Sequence, residues 1–312
     1  MPDDAASPDD VLVRLRARER RSVALALTEM ERQSPAAREL LQLLQPFIGN
    51  ALVVGFTGPP GAGKSTLVNA YTHHLRGLGK TVGVIAVDPS SPISGGAILG
   101  DRIRMTAALD DDGVFVRSLA ARGQLGGLSP AAVRMIDVLD GAGFDVILLE
   151  TVGTGQSEID IAEVADVRVV VSAPGLGDDI QAMKSGLLEI ADVMVVNKGD
   201  REGAELTLQQ LIGALSMRAS RSAPPVVKTT ATSGAGVERL AVAINEAGAR
   251  RLAEPPIVRR RRRARYLIAR AAADLIASRI KSSAAAEFDA LADDVLGGAI
   301  SPAEAARRLV RT

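Results

Sequence analysis

Cysteine is absent from the 312 residues, which removes disulfides, cysteine-ligated zinc, iron–sulfur clusters and thiol catalysis at once. Only two histidines occur, His73 and His74, so a histidine-based triad would have to use one of them. Tryptophan is missing and aromatics are 2% of the chain, so the core must be built from Ala, Val, Leu and Ile. Charge of either sign is not in excess: 37 basic residues balance 37 acidic ones, and the chain as a whole has no electrostatic pull toward nucleic acid. No apolar run reaches the roughly 18 residues of a membrane span. The opening MPDDAASPDD is acidic and leads into no apolar run of signal-peptide type. A soluble, cytoplasmic protein with neither a nucleic-acid nor a membrane partner is expected.

What is present falls into three regions, 1–50, 51–250 and 251–312. In the first, Val11, Leu12, Leu15, Val23, Leu27 and Met30 recur at roughly helical spacing. Ser34-Pro35 then reads as an N-cap with Pro at the first helical position, opening a second helix that carries Leu40, Leu41, Leu44 and Phe47. In the middle region, short apolar runs alternate with helical patterns. The runs are 52–57, 82–87, 114–116, 146–149, 167–171, 193–196 and 226–228, and helices are expected over 65–78, 130–141 and 205–219. Runs that are apolar throughout suit strands covered on both faces, hence a doubly wound, mainly parallel α/β sheet. Past residue 250, Pro255-Pro256 reads as a breaker, Arg259–Arg263 is an unbroken basic run, and Tyr266 to Ile280 has a helical apolar face. Two short helices are expected over 284–296 and 302–310.

The strongest motif is Gly58-Pro59-Pro60-Gly61-Ala62-Gly63-Lys64-Ser65-Thr66, a full match to G-x-x-x-x-G-K-[ST] between an expected strand and helix. Glycines let main-chain N–H groups turn inward around phosphate oxygens, and a helix N-terminus favours the anion. Lys64 supplies positive charge to the β- and γ-phosphates, and the Ser65 hydroxyl is a ligand for Mg²⁺. The run Val193–Val196 ends in Asn197-Lys198-Gly199-Asp200, an N-K-x-D element. The Asp200 carboxylate can accept from N1–H and N2–H of guanine, donors that adenine lacks at those positions, so GTP and GDP are the expected nucleotides. Residues 229–236, TTATSGAG, offer main-chain groups such as those of Ala231 and Thr232 to guanine O6. Glu150 closes an apolar run next to the phosphate loop, Asp88 closes another, and Asp101 tips a glycine-rich loop. These three acids with Ser65 form the expected metal set, with capping as the alternative for Asp88 and Asp101. Gly153 would sit near the γ-phosphate.

In order along the chain, GPPGAGKST, VDPSSP, GGAILGDRIRM, RGQLGG, ETVGTGQSE, DDIQAMK and NKGD resemble the MeaB/ArgK family of P-loop GTPases, in its metallochaperone-type branch. The resemblance covers roughly residues 10–280. Thr154 and Gly199 depart from the family's usual Val and Ala, and neither change removes a contacting group. Members of the family are chaperones of adenosylcobalamin-dependent acyl-CoA mutases, above all methylmalonyl-CoA mutase, and were formerly described as transport ATPases or kinases for lysine, arginine and ornithine. The resemblance implies a GTPase that gates cobalamin loading and protects the mutase. It implies a homodimer joined through C-terminal helices, the mutase as partner and cobalamin adenosyltransferase as a further one. It also implies switch loops carrying Asp101 and 153–158, and a responsive loop over 177–184.

Two residues are candidates for the hydrolytic step beside Lys64. Gln156 could position water or serve only as a switch-loop contact, and Lys184 could approach the nucleotide when the mutase binds or lie on the surface. Arg102, Arg104 and Arg122 are weaker candidates. The Arg259–Arg263 run, without interleaved aromatics, reads as a solvated helix start or a dimer contact rather than a nucleic-acid patch. Neighbouring His73 and His74 point about 100° apart on a helix, which with zero cysteine argues against a nickel-inserting relative. A kinase or transport ATPase remains the competing reading, disfavoured by N-K-x-D.

Overall fold

Seven short runs assemble into one parallel sheet, its inner strands buried on both faces and its edge strands half-buried. In the computed structural model, which describes residues 7–88, 111–120, 128–151, 157–175, 186–216, 223–282 and 285–311, these are β1 Leu52–Thr57, β2 Val82–Asp88, β3 Val114–Ala120, β4 Val146–Glu150, β5 Val167–Ser172, β6 Val193–Val196 and β7 Val226–Lys228. Their order across the sheet is β3-β2-β4-β1-β5-β6-β7, with every pairing parallel. The chain leaves β1 in one direction and resumes at β5 in the other. The carboxyl ends of β1, β4 and β5 therefore border the switch point where open α/β sheets hold ligands. Among the described residues, no helix is long and apolar enough to cross a membrane.

The expected helices 65–78, 130–141 and 205–219 appear as α4 Lys64–Gly77, α5 Pro130–Ala142 and α8 Ala204–Ser216, the last placed after α6 Ser157–Val164 and the short α7 Leu187–Ile190. One face of the sheet is covered by α4 and α9 Val237–Leu252, through Leu67, Val68, Tyr71, Leu240 and Ile244. Burial pushes the Tyr71 hydroxyl well above its ordinary pKa.

The N-terminal region departs from expectation. The apolar spacing from Val11 to Met30 suggests one helix, but the chain forms two, α1 Pro8–Arg16 and α2 Arg20–Arg32. Arg18 takes φ 56° between them, and this turn lets Leu15 and Val23 both reach the core. The second expected helix is α3 Pro35–Leu44, with Ser34 Oγ accepting from Ala37 N–H at 3.2 Å and a 3-10 turn at Gln45–Phe47. α2 and α3 pack on α5, so α5 lies between them and the sheet and is buried almost throughout. That accounts for an α5 sequence that is apolar nearly all round.

By compactness the chain divides into residues 1–263 and 264–312. Pro255-Pro256 separates α9 from the next helix, α10 Pro256–Ser282, and Pro256 stands at its first position, where its missing N–H costs nothing. The two short terminal helices are α11 Ala285–Leu296 and α12 Pro302–Arg311, the latter capped by Ser301 Oγ on Glu304 N–H.

The basic run is also corrected. Arg259 and Arg263 are each 2% exposed within the first unit. The carboxylate of Asp166, fully buried ahead of β5, receives Arg259 Nη1 at 3.1 Å, Arg262 Nη2 at 3.2 Å, Arg263 Nη2 at 3.4 Å and the Val53 N–H at 3.0 Å. Arg259 donates further to the carbonyls of Ala51 and Gly49. From the other side the Asp140 carboxylate accepts the N–H groups of Gly49, Asn50 and Ala51 at 2.7, 3.0 and 2.9 Å. The entry to β1 is thus held by a buried acid through its amides and by a buried arginine through its carbonyls. The run lies at a helix start, as expected, but Arg259 and Arg263 are buried rather than solvated, while Arg261 is exposed.

Candidate functional site

The loop between β1 and α4 wraps tightly because glycines stand where side chains would collide. Gly58 has φ 136°, and a Cβ there would strike the Val171 carbonyl of the neighbouring strand. Gly63, at φ 87°, caps α4 without a side chain and lies against the Asn197 amide. Lys64 is buried at the first position of α4, and its ammonium donates to the carbonyls of Gly58 at 2.8 Å and Pro59 at 3.1 Å. The cation is therefore held over the cradle formed by Gly58, Pro59, Pro60, Gly61, Ala62 and Gly63, with Ser65 and Thr66 in the first turn of α4.

Ser65 Oγ donates to Glu150 Oε1 at 2.6 Å. This brings together a hydroxyl and a carboxylate that lie 85 residues apart in the chain. Register explains the meeting: Glu150 pairs with Phe56 at the end of β4, one strand over from the residues that enter the loop. Glu150 is 4% exposed, so its carboxylate is aimed inward at the phosphate loop.

The base-reading element is tied to the same cradle. Asn197 is buried after β6, and its Nδ2 donates to Ala62 O at 3.0 Å and Gly63 O at 3.3 Å. Its Oδ1 accepts from Thr229 Oγ1 and from the Ala231 N–H, each at 3.2 Å. One amide side chain thus joins the phosphate loop to the 229–236 loop. Lys198, at φ 55°, lays its ammonium on Gly61 O at 2.6 Å. Gly199 N–H donates to Thr229 O at 2.9 Å, and Asp200 stands exposed in the turn that follows. The Ala231 amide is engaged by Asn197, and Thr232 is exposed beside it.

The structure brings together the 58–66 loop, Glu150, Asn197 to Asp200 and the 229–236 loop at the carboxyl edge of the sheet. Asp88 ends β2 at that edge, in register with Ala120 of β3; its side chain lies outside the described residues. Asp101, Arg102, Arg104, Arg122, Gly153, Gln156 and Lys184 lie outside the described residues as well. The N-K-x-D spacing points Asn197 toward the nucleotide. Its bridging of two loops was not foreseen, although an amide with both donors and an acceptor is the side chain suited to it. Thr57 and Thr151, joined through their hydroxyls at 3.0 Å beside the phosphate loop, were also missed.

Comparison with known proteins gives a consistent result. The family model of the methylmalonyl-CoA mutase-associated GTPase MeaB matches residues 21–286. A Pyrococcus horikoshii protein is 44% identical over 308 residues, covering 96% of each chain. The GTPase ArgK of Escherichia coli is 44% identical over 191 residues, covering 60% of this chain and 58% of its own. The mouse mitochondrial methylmalonic aciduria type A homolog is 36% identical over 242 residues, covering 71% and 58%. Among solved structures, a LAO/AO transport system kinase superposes with a TM-score of 0.76 at 26% identity, covering 100% of this chain and 99% of its own.

Proposed function

Because the chain belongs to the MeaB family of mutase-associated P-loop GTPases, and so binds guanine nucleotide and hydrolyses GTP, we propose that it is a chaperone of an adenosylcobalamin-dependent acyl-CoA mutase. In this role it gates loading of the intact cofactor and protects the loaded mutase. The observation that supports the nucleotide half is the Asn197 bridge, which ties the base reader to the phosphate cradle. The mutase half draws on the family match over residues 21–286 and the likeness to the methylmalonic aciduria homolog. A kinase reading has the LAO/AO likeness behind it, but Asp200 is matched to guanine rather than adenine.

Mg²⁺ is the proposed metal. The Ser65 hydroxyl and Glu150 carboxylate form a hard, all-oxygen donor pair beside the phosphate loop, which is the chemistry Mg²⁺ favours. Ser65, Glu150, Asp88 and Asp101 would hold it, and when bound it neutralises charge building on the phosphate oxygens. The protein's own part is positional. Main-chain N–H groups of residues 58–63 and the N-terminus of α4 bind the phosphates, and Lys64 balances the charge on the transferred group. Asp200 holds the base, with Gly153 beside the γ-phosphate and Gln156 or Lys184 completing the water-activating side. A homodimer through the C-terminal segment fits the exposure of Ile268, Leu275 and Leu296 there. Cobalamin adenosyltransferase is proposed as a second partner.

Two results test this reading. Basal GTP hydrolysis is expected to be slow and to rise on addition of the cognate mutase, with 10³–10⁵ as an approximate upper guide from partner-stimulated GTPases. Lys184→Ala should leave the basal rate little changed and reduce the stimulated one. Fast basal turnover that responds to no mutase defeats the chaperone reading; stimulation surviving in the variant defeats only the role of Lys184. Asp200→Asn is expected to weaken GTP by about 10–150-fold for one lost charged hydrogen bond and to improve xanthosine triphosphate, whose extra carbonyl suits an amide donor. Competition binding with both nucleotides measures it, and unchanged GTP affinity places base recognition elsewhere.

A further inference from the structure

Two buried hydroxyls flank the junction between the phosphate loop and Glu150: Thr57, directly before the 58–66 motif, and Thr151, the second residue of ETVGTGQSE. Thr57 is the last residue of β1, directly before Gly58. Thr151 follows Glu150 directly at the end of β4. Both side chains are within 1% of complete burial. Thr151 Oγ1 donates to Thr57 Oγ1 at 3.0 Å and lies 3.5 Å from the Phe56 carbonyl, and the Thr151 N–H donates to Phe56 O at 3.1 Å. Since Phe56 pairs with Glu150 in the strand register, this hydroxyl bond sits one residue beyond that pair.

We propose that Thr57 and Thr151 are positioning residues that fix the gap between the phosphate loop and Glu150, and thereby tune Mg²⁺ binding with the nucleotide. Two valines have the same shape, suit strand ends, and exchange a buried hydroxyl pair for apolar contact at nearly no cost. Van der Waals contact, however, leaves the approach of two strand ends soft, whereas a hydroxyl bond has a preferred length and direction. The Ser65–Glu150 contact at 2.6 Å depends on that approach, because Ser65 is carried by the loop that Thr57 enters and Glu150 precedes Thr151. The pair acts one shell out from the metal donors, where loss of a partner typically weakens metal binding by about 10–100-fold.

The proposal rests on reading Ser65 and Glu150 as Mg²⁺ donors, so the test carries a control for that reading. The readout is release of a fluorescent GDP analogue as free Mg²⁺ is varied, in wild type, Thr151→Val, Thr57→Val, the double variant, Thr151→Ser and Glu150→Gln. Thermal midpoints are taken without nucleotide. Thr151→Val and Thr57→Val are expected to raise the half-effective Mg²⁺ concentration about tenfold, with GDP affinity in chelator unchanged. The double variant should be no worse than Thr151→Val, which already removes the hydroxyl–hydroxyl bond and the longer contact with Phe56 O. Thr151→Ser should restore the wild-type value. A half-effective concentration within twofold of wild type in both valine variants overturns the proposal, provided Glu150→Gln shifts it. If Glu150→Gln does not shift it, the metal reading itself falls. A large loss of thermal midpoint that serine fails to recover assigns the pair to stability and also overturns the proposal. Should one valine variant not fold, the other decides.

Discussion

Lys64→Ala is expected to raise the dissociation constant for GTP by about 10²–10⁴, the equivalent of two charge-assisted phosphate contacts at roughly 1.5–3 kcal/mol each. The fold without nucleotide should survive. In the structure the Lys64 ammonium donates to Gly58 and Pro59 carbonyls in a loop whose shape is already imposed by Gly58 and Gly63 and by the Asn197 amide. Alanine is also the best residue for the first turn of a helix interior, so α4 loses nothing in propensity. The thermal midpoint in the absence of nucleotide should therefore move little. The nucleotide-dependent rise in midpoint should collapse, because a ligand at a hundred times its dissociation constant adds about 2.7 kcal/mol, and a weakened site adds almost none at the same concentration. Calorimetric titration with GTP and melting with and without GDP check both halves. Near wild-type affinity with an intact circular dichroism spectrum would remove Lys64 from the phosphate site.

The inner strands were legible from sequence because they are buried on both faces. Such strands are apolar without interruption, and the seven expected runs coincide with the seven strands to within a few residues at their ends. The extra residues at the carboxyl ends of β2 and β4, Asp88 and Glu150, are polar, and in β3 the polar Arg117-Ser118 cut off Leu119 and Ala120; polarity hides a strand end from a reading of apolar runs. The phosphate loop was legible because its constraint is local: strand, glycines, lysine and helix follow one another in the chain.

Less was legible wherever the constraint comes from a distant segment. The turn at Arg18 leaves no glycine or proline signal, and the break lets Leu15 and Val23, on separate helices, both be fully buried. Asn197 bonds residues 135 and 34 positions away, so its linking role depends on loops that only the folded sheet brings together. The Thr57–Thr151 bond spans 94 residues and joins two residue types common at strand ends. The arginine run misled for a related reason. Five like charges in sequence suggest solvent, yet on a helix Arg259 and Arg263 share one face, and that face meets a buried aspartate whose position sequence periodicity does not announce.

The largest stability effect is expected at that aspartate. Asp166→Ala should destabilise the first unit by about 3–5 kcal/mol, since it removes the one carboxylate shared by three guanidinium groups and leaves buried cations without their counter-charge. Asp137 remains, but its nearest contact with Arg263 is 3.8 Å, and burial already pushes its carboxyl above the usual range despite that cation. The loss also frees the Val53 N–H at the start of β1. For a unit of this size, each kcal/mol moves the thermal midpoint by roughly 2–4 °C, so a fall of about 6–20 °C is expected. The comparison that gives the result its meaning is Arg261→Ala. Arg261 belongs to the same run but is exposed, and its removal should change stability by no more than about 0.5 kcal/mol. Urea denaturation of the nucleotide-free protein measures both. Adding 0.5 M salt should barely alter the difference, because screening acts weakly on pairs taken out of water. Equal, small effects for the two variants would mean that the run is held by surface charge after all, and that the entry to β1 is secured by Asp140 alone.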